Sequence, residues 1–178
     1  MCDREILLPI PELLWANNAV PSEGTEHVVN DAGEHCIPVD AGAVQFVVES
    51  RTLTNEIIQD TFHGALAGEI PFDDFGATLH VCGTADGLEY LRFDCFENEP
   101  HYHYIEQTNQ ANVIVRIDEL AVGDPIEFSL NCVAHHLPDM LRNTGAVDLA
   151  DAVDEQMGQV QVAVAEVREL MKRARTNA

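Results

Sequence analysis

ATLHVCGTADGLEYLRFDCFENEPHYHYIE, residues 77–106, alternates short apolar and β-branched runs with turn-forming residues. Residues 77–82 and 88–96 flank the loop Gly-Thr-Ala-Asp-Gly, whose two glycines can adopt the positive φ angles that tight hairpin loops need. Residues 97–100 predict a second turn, and residues 101–106 predict a third strand. The segment is therefore typical of an antiparallel meander.

Further strands and a helix are predicted on either side of this segment. Residues 43–49 (AVQFVVE) are rich in β-branched and aromatic side chains, and residues 112–118 (NVIVRID) give a fourth meander strand. Residues 124–127 (DPIE) combine an N-cap aspartate, a proline at the first helical position and a glutamate at N3, so a helix begins there. We predict an α+β fold, an antiparallel β-meander of four or more strands followed by C-terminal helices, the last of them long and heptad-like.

Composition divides the chain into three parts. Residues 1–40 mix short apolar pieces with Pro, Gly, Asn and Glu, which predicts an irregular N-terminal arm. Residues 41–146 predict an α+β core domain, with a short amphipathic helix from Thr54 to Gly68. Residues 147–178 predict a C-terminal helix that serves for packing or for dimerisation.

The C-terminal helix, expected from an Asp148 cap to about Arg175, carries apolar residues at alternating spacings of four and three. These residues are Val153, Met157, Val160, Val164, Val167 and Met171. A stripe this narrow is typical of a helix pair, whereas a helix that covers a sheet usually has a broader one. We therefore predict a homodimer, with packing on the domain's own sheet as the other interpretation.

Charge and cysteine usage restrict the partners and the location. The 31 acidic and 9 basic residues give a formal net charge of -22, which repels phosphate backbones and anionic lipid headgroups. We therefore predict neither a nucleic-acid nor a membrane partner. The five cysteines form no CxxC pair, and the first residues lack the features of a secretory signal, so a cytoplasmic location is predicted.

Strand pairing across the turns predicts which side chains share a face of the sheet. Symmetric pairing places His80 opposite Tyr90, Asp94 opposite His103, Phe96 opposite His101, and Ile105 opposite Val113. The alternation of side chains along each strand then defines an apolar face. Its members are Leu79, Val81, Leu91, Phe93, Cys95, Tyr102, Tyr104 and Ile114. The other, mixed face carries His80, Tyr90, Arg92, Asp94, His101, His103, Val113 and Val115.

The mixed face supplies the candidate metal ligands, which are His101, His103, Asp94 and His80. Imidazole and carboxylate groups suit zinc, iron, nickel or manganese. We predict that this face binds a divalent metal or a small-molecule ligand, and whether the protein is an enzyme stays open. The ordinary alternative is a set of solvent-facing or hydrogen-bonded histidines on a non-catalytic interaction or accessory subunit that dimerises through its C-terminal helix.

A second group of potential ligands lies on the helix that begins at residue 125. Cys132, His135, His136 and Asp139 are spaced at i, i+3, i+4 and i+7. If this helix packs on the mixed face, His135 or His136 would complete the strand cluster. Otherwise Cys132 is a small core residue, and the histidines flank a helix break near Pro138.

Overall fold

The structure is a computed structural model that describes residues 36–53 and 74–177. Six strands form one antiparallel sheet in which neighbours in the chain are neighbours in the sheet, and this confirms the predicted α+β meander. The predicted helix from Thr54 to Gly68 lies outside the described residues. The strands are β1 (Cys36–Ala41), β2 (Val44–Leu53), β3 (Asp74–Gly83), β4 (Glu89–Phe96), β5 (His101–Glu106) and β6 (Ala111–Arg116).

The helices follow the sheet, as predicted. They are α1 (Glu119–Val122), α2 (Pro125–Asn143), α3 (Val147–Glu155) and α4 (Met157–Asn177). Helix α2 begins as expected, because the Asp124 carboxylate accepts hydrogen bonds from the amides of Ile126 and Glu127. The expected break near Pro138 is wrong. The helix continues past it because α2 buries apolar side chains on both sides of the proline, which outweighs one lost backbone hydrogen bond.

Helices α2 and α4 bury their apolar faces against the predicted apolar face of the sheet, and α3 packs mainly against α2. Leu79, Val81, Leu91 and Phe93 are fully buried there. Helix α4 has a broader stripe than its heptad pattern predicted, because alanine and leucine positions widen it. The stripe comprises Val160, Ala163, Val164, Val167, Leu170, Met171 and Ala174.

The predicted C-terminal helix is divided in two, and its apolar seam is buried within the chain. The division falls at Gln156, whose side-chain oxygen accepts a hydrogen bond from the amide of Ala43 at 2.8 Å. Asp148 is not the cap, since α3 begins at Val147. The seam residues of α4 pack on the chain's own sheet, so they do not provide a free surface for a second subunit. The homodimer stays a prediction, without support from this seam.

The strand register differs from the predicted symmetric pairing by two residues in the β3–β4 and β4–β5 hairpins, and by one residue in the β5–β6 hairpin. His80 pairs with Arg92, and Asp94 pairs with His101; each partner lies two residues from the predicted one, so the side chains keep their face. The four-residue turn between β5 and β6 pairs Ile105 with Asn112, one residue from the predicted Val113. This shift reverses the faces predicted for Ile114 on one side and for Val113 and Val115 on the other.

Within the described part of the chain, none of the helices has the length and apolar character required to cross a membrane.

Candidate metal centre

The face of the sheet opposite the helices carries a buried polar network. His80, Glu89, Asp94 and His103 each expose 6% of their surface or less. Burying ionisable groups is costly unless each one is paired and hydrogen-bonded. The network satisfies this requirement across five strands, β2 to β6, through Glu49, Arg51, Thr78, His80, Glu89, Arg92, Asp94, His101, His103 and Asn112.

Asp94, His101 and His103 converge on one point of this face. His103 Nε2 lies 3.0 Å from Asp94 Oδ2, and His101 Nε2 lies 3.4 Å from the same oxygen. One ligand atom from each residue lies within 4.8 Å of the other two. In a tetrahedral zinc site with ligand bonds of 2.0–2.1 Å, neighbouring ligand atoms are about 3.3 Å apart. Both nitrogen-to-oxygen distances therefore fit around a single ion.

The outer nitrogens of the two imidazole rings are held by oxygen acceptors. His101 Nδ1 lies 2.6 Å from the backbone carbonyl of Glu99, which can only accept, so Nδ1 carries the hydrogen. His103 Nδ1 lies 2.8 Å from the side-chain oxygen of Asn112, an arrangement that also places its hydrogen on Nδ1. An Nδ1–H bound to a carbonyl leaves Nε2 with its lone pair, as in metal-bound histidines. Both Nε2 atoms point toward Asp94.

The second oxygen of the Asp94 carboxylate is occupied by other groups. The Thr78 hydroxyl donates to Oδ1 at 2.7 Å, and the Arg51 guanidinium lies 3.5 Å from the same atom. These contacts orient the carboxylate and leave Oδ2 to face the two histidines. Asp94 is therefore arranged as a ligand through one oxygen, with Thr78 and Arg51 as its supporting partners.

The pKa values of Asp94, His101 and His103 are shifted in different directions. Burial raises the pKa of Asp94, but the contacts with His101 and His103, together with the charges of His101 and Arg51, outweigh it and hold that pKa well below its ordinary value. Burial also lowers the pKa of both imidazoles. The hydrogen bond to Asp94 and its charge reverse this for His101, whose pKa is raised, whereas the pKa of His103 stays lowered. Without an ion, the carboxylate is thus an anion beside an imidazolium.

His80, the fourth predicted ligand, lies in a separate cluster. Its Nδ1 is 2.5 Å from Glu89 Oε1, and its Nε2 is 3.1 Å from Glu49 Oε2. Both ring nitrogens face carboxylates, so His80 is an imidazolium. Burial lowers its pKa, but the hydrogen bonds to Glu49 and Glu89 outweigh burial and raise it. With both nitrogens occupied, His80 has no lone pair for the ion that the other three residues could hold.

Sequence reasoning missed Glu89 on this face, along with the partners Glu49, Arg51, Thr78 and Asn112. Regular alternation places Glu89 with Leu91 on the apolar side, but a bulge in β4 pairs Val81 with Leu91 and then Cys82 with Glu89. The Glu89 carboxylate is fully buried and accepts hydrogen bonds from Arg92 Nε at 2.9 Å and from Arg92 Nη2 at 2.6 Å. The sequence did contain one indication of this ion pair, because Arg92, a possible partner of Glu89, lies only three residues away. The same bulge packs Tyr90 against the apolar core, which corrects its predicted place on the mixed face.

The histidines of α2 do not join either cluster. His135 and His136 are exposed on the helix, while Cys132 is buried in the core, where burial raises its thiol pKa to about 11. Helix α2 packs on the apolar face, so its histidines cannot reach Asp94. Of the two interpretations of this helix, the structure supports a small core cysteine with surface histidines.

Fold and site together define a class of protein, a small α+β domain with a meander sheet whose helix-free polar face gathers two histidines and an aspartate. The chain belongs to a family described as a domain of unknown function (DUF7700), whose model matches residues 38–171. Neither the curated proteins nor the solved structures include a significant match to the chain.

Proposed function

We propose that this protein binds one divalent transition-metal ion through Asp94 Oδ2, His101 Nε2 and His103 Nε2. The observation that carries the proposal is the convergence of both Nε2 atoms on one carboxylate oxygen, at 3.0 and 3.4 Å, while both Nδ1 atoms are held by oxygen acceptors. Three lone pairs then face a common point, and a cation there relieves their repulsion. A single proton relieves it only in part, because it can bridge only one nitrogen and the oxygen.

The donor set restricts which ion is bound and what it does. Two imidazoles and one carboxylate suit zinc, iron, nickel or manganese, and a site with three protein ligands keeps an open position. His101 is the most exposed of the three, with 19% of its side chain accessible, so the open position faces the accessible side of the cluster. An ion there would polarise a carbonyl group or activate water, which is the route by which the protein would be a metal-dependent enzyme.

Metal analysis of protein purified without a polyhistidine tag tests the proposal. We expect about one equivalent of metal, retained after dialysis and restored after chelation. Asp94→Asn and His103→Gln each remove a ligand and should weaken affinity by more than about 100-fold, since changes in supporting residues alone cost 10–100-fold. The control is the double variant His135→Ala with His136→Ala. It removes two exposed imidazoles from the surface of α2, the same number as the cluster contains. That variant should bind metal normally.

Two results would overturn the proposal. The first is less than about 0.1 equivalents of metal with no uptake on titration. The second is uptake that falls in the His135 and His136 double variant but not in the Asp94 and His103 variants, which would mean adventitious binding at the surface. The non-catalytic accessory subunit then becomes the better proposal.

A reducing cytoplasmic compartment is part of the same proposal. Among the described residues, Cys82, Cys95 and Cys132 are free thiols. Burial raises the pKa of Cys82 and Cys95 to about 12, so these thiols are poor nucleophiles and poor metal ligands at neutral pH. These two cysteines therefore do not compete for the ion with the histidine cluster.

A further inference from the structure

Arg116 has a donor that no residue uses. Its Nη2 atom pairs with Glu99 Oε2 at 3.1 Å, while its Nη1 atom is buried and has no hydrogen-bond partner. Among the described residues it is the one buried side-chain polar atom in this condition. A buried donor without a partner costs free energy, so a native structure that keeps one usually has a role for it.

Arg116 lies beside the proposed metal ligands. It is the ladder partner of His101, which puts both side chains on the same face of the sheet with Cα atoms about 4.5–5.5 Å apart. Glu99 contacts both residues: its backbone carbonyl accepts a hydrogen bond from His101 Nδ1, and its carboxylate pairs with the Arg116 guanidinium. Arg116 is therefore a cross-strand neighbour of the most exposed ligand of the cluster.

The ion-paired and buried charges of the network leave an excess of positive charge once an ion is bound. The described ion pairs join four carboxylates, three guanidinium groups and the His80 imidazolium, which balance. A divalent ion leaves two positive charges uncompensated. Counting also the buried Asp74 carboxylate, which accepts hydrogen bonds from the amides of Asn98 and Glu99, one positive charge remains.

We propose that the open position of the metal site takes a small carboxylate, with one oxygen on the ion and the other accepting a hydrogen bond from Arg116 Nη1. This rests on the proposed metal site and names the class of its ligand. A carboxylate presents two oxygens in the spacing that a cation and a guanidinium can share. Arg92 and Arg51 are less available, because Arg92 binds Glu89 through two hydrogen bonds and Arg51 faces Asp94.

Calorimetric titration with acetate, after metal content has been measured on the same sample, tests this inference. We expect acetate to bind the zinc-loaded protein and not the metal-free protein. Arg116→Gln should keep full metal uptake but weaken acetate binding by about 10-fold or more, as expected for one charge-assisted hydrogen bond. Arg173→Gln is the control, because it removes an equal charge from an exposed position on α4. It should change neither property.

The outcomes separate this inference from the proposed function. No metal uptake by the native protein overturns both. Normal metal uptake with no acetate binding overturns only the carboxylate ligand, as does equal acetate affinity in native protein and Arg116→Gln. A loss of metal in Arg116→Gln would show instead that the arginine supports the ligands through Glu99. If Arg173→Gln weakened acetate binding as much as Arg116→Gln, the loss of affinity would be an effect of net charge alone. That result would also overturn the role proposed for Arg116.

Discussion

Replacing Glu89 by glutamine should be among the most destabilising single changes on the polar face of the sheet. The Glu89 carboxylate is fully buried, accepts two hydrogen bonds from Arg92, and receives a third from His80. Glutamine has nearly the same shape but no charge. The substitution therefore leaves the Arg92 guanidinium and the His80 imidazolium without their shared counter-ion, in a place that water reaches poorly.

The size of the effect follows from these contacts. Hydrogen bonds to a charged group contribute about 1.5–3 kcal/mol each, but they are not additive within a network. Breaking a buried ion pair by removing one partner typically costs about 3–5 kcal/mol. Because 15% of the Arg92 side chain is accessible, part of its charge can be hydrated after the change. We therefore expect a loss of about 3 kcal/mol in the free energy of unfolding, out of the 5–15 kcal/mol usual for a domain.

Urea denaturation of metal-free protein at neutral pH measures this loss. Glu49→Gln is the matched control, since Glu49 is 27% accessible and binds His80 through one hydrogen bond, so its loss should be about 1 kcal/mol or less. The reasoning would be refuted if Glu89→Gln cost less than about 1 kcal/mol, or no more than Glu49→Gln. Either result would mean that the Arg92 and His80 charges are solvated in the folded protein.

Three further predictions concern pH, the core and assembly. The raised pKa of His80 means that its ion pairs contribute fully below its ordinary value of 6.5 and are lost as pH rises through the folded pKa, so the stability difference between native protein and His80→Gln should shrink at alkaline pH in urea titrations. Val160→Glu buries a charge in the core and should cost at least about 3 kcal/mol, whereas Val162→Glu, 76% exposed on the same helix, should cost less than about 0.5 kcal/mol in thermal unfolding. Light scattering at low and high salt tests the homodimer. A dimer would tighten with salt as the acidic subunits are screened, and a monomer at both would contradict it.

Local periodicity was enough to predict the sheet and to sort most of its side chains. In a strand, alternate residues share a face whatever the neighbouring strand does. The predicted positions of Leu79, Phe93, Asp94, His101 and His103 therefore survived pairing errors of two residues. The start of α2 was also readable, because an N-cap aspartate, a proline and a glutamate act within one turn.

Tertiary contacts decided what local patterns could not. Symmetric pairing overlooked the β4 bulge, which moves Glu89 to the polar face and places it against His80. Tertiary contacts also separated His80 from the other three predicted metal ligands, because carboxylates from two other strands occupy both of its ring nitrogens. The heptad pattern of α4 was compatible both with a helix pair between two subunits and with packing on the chain's own sheet. The helix packs on its own sheet because Ala163, Leu170 and Ala174 widen the stripe, and the sheet offers a matching apolar face only when all of its strands are assembled.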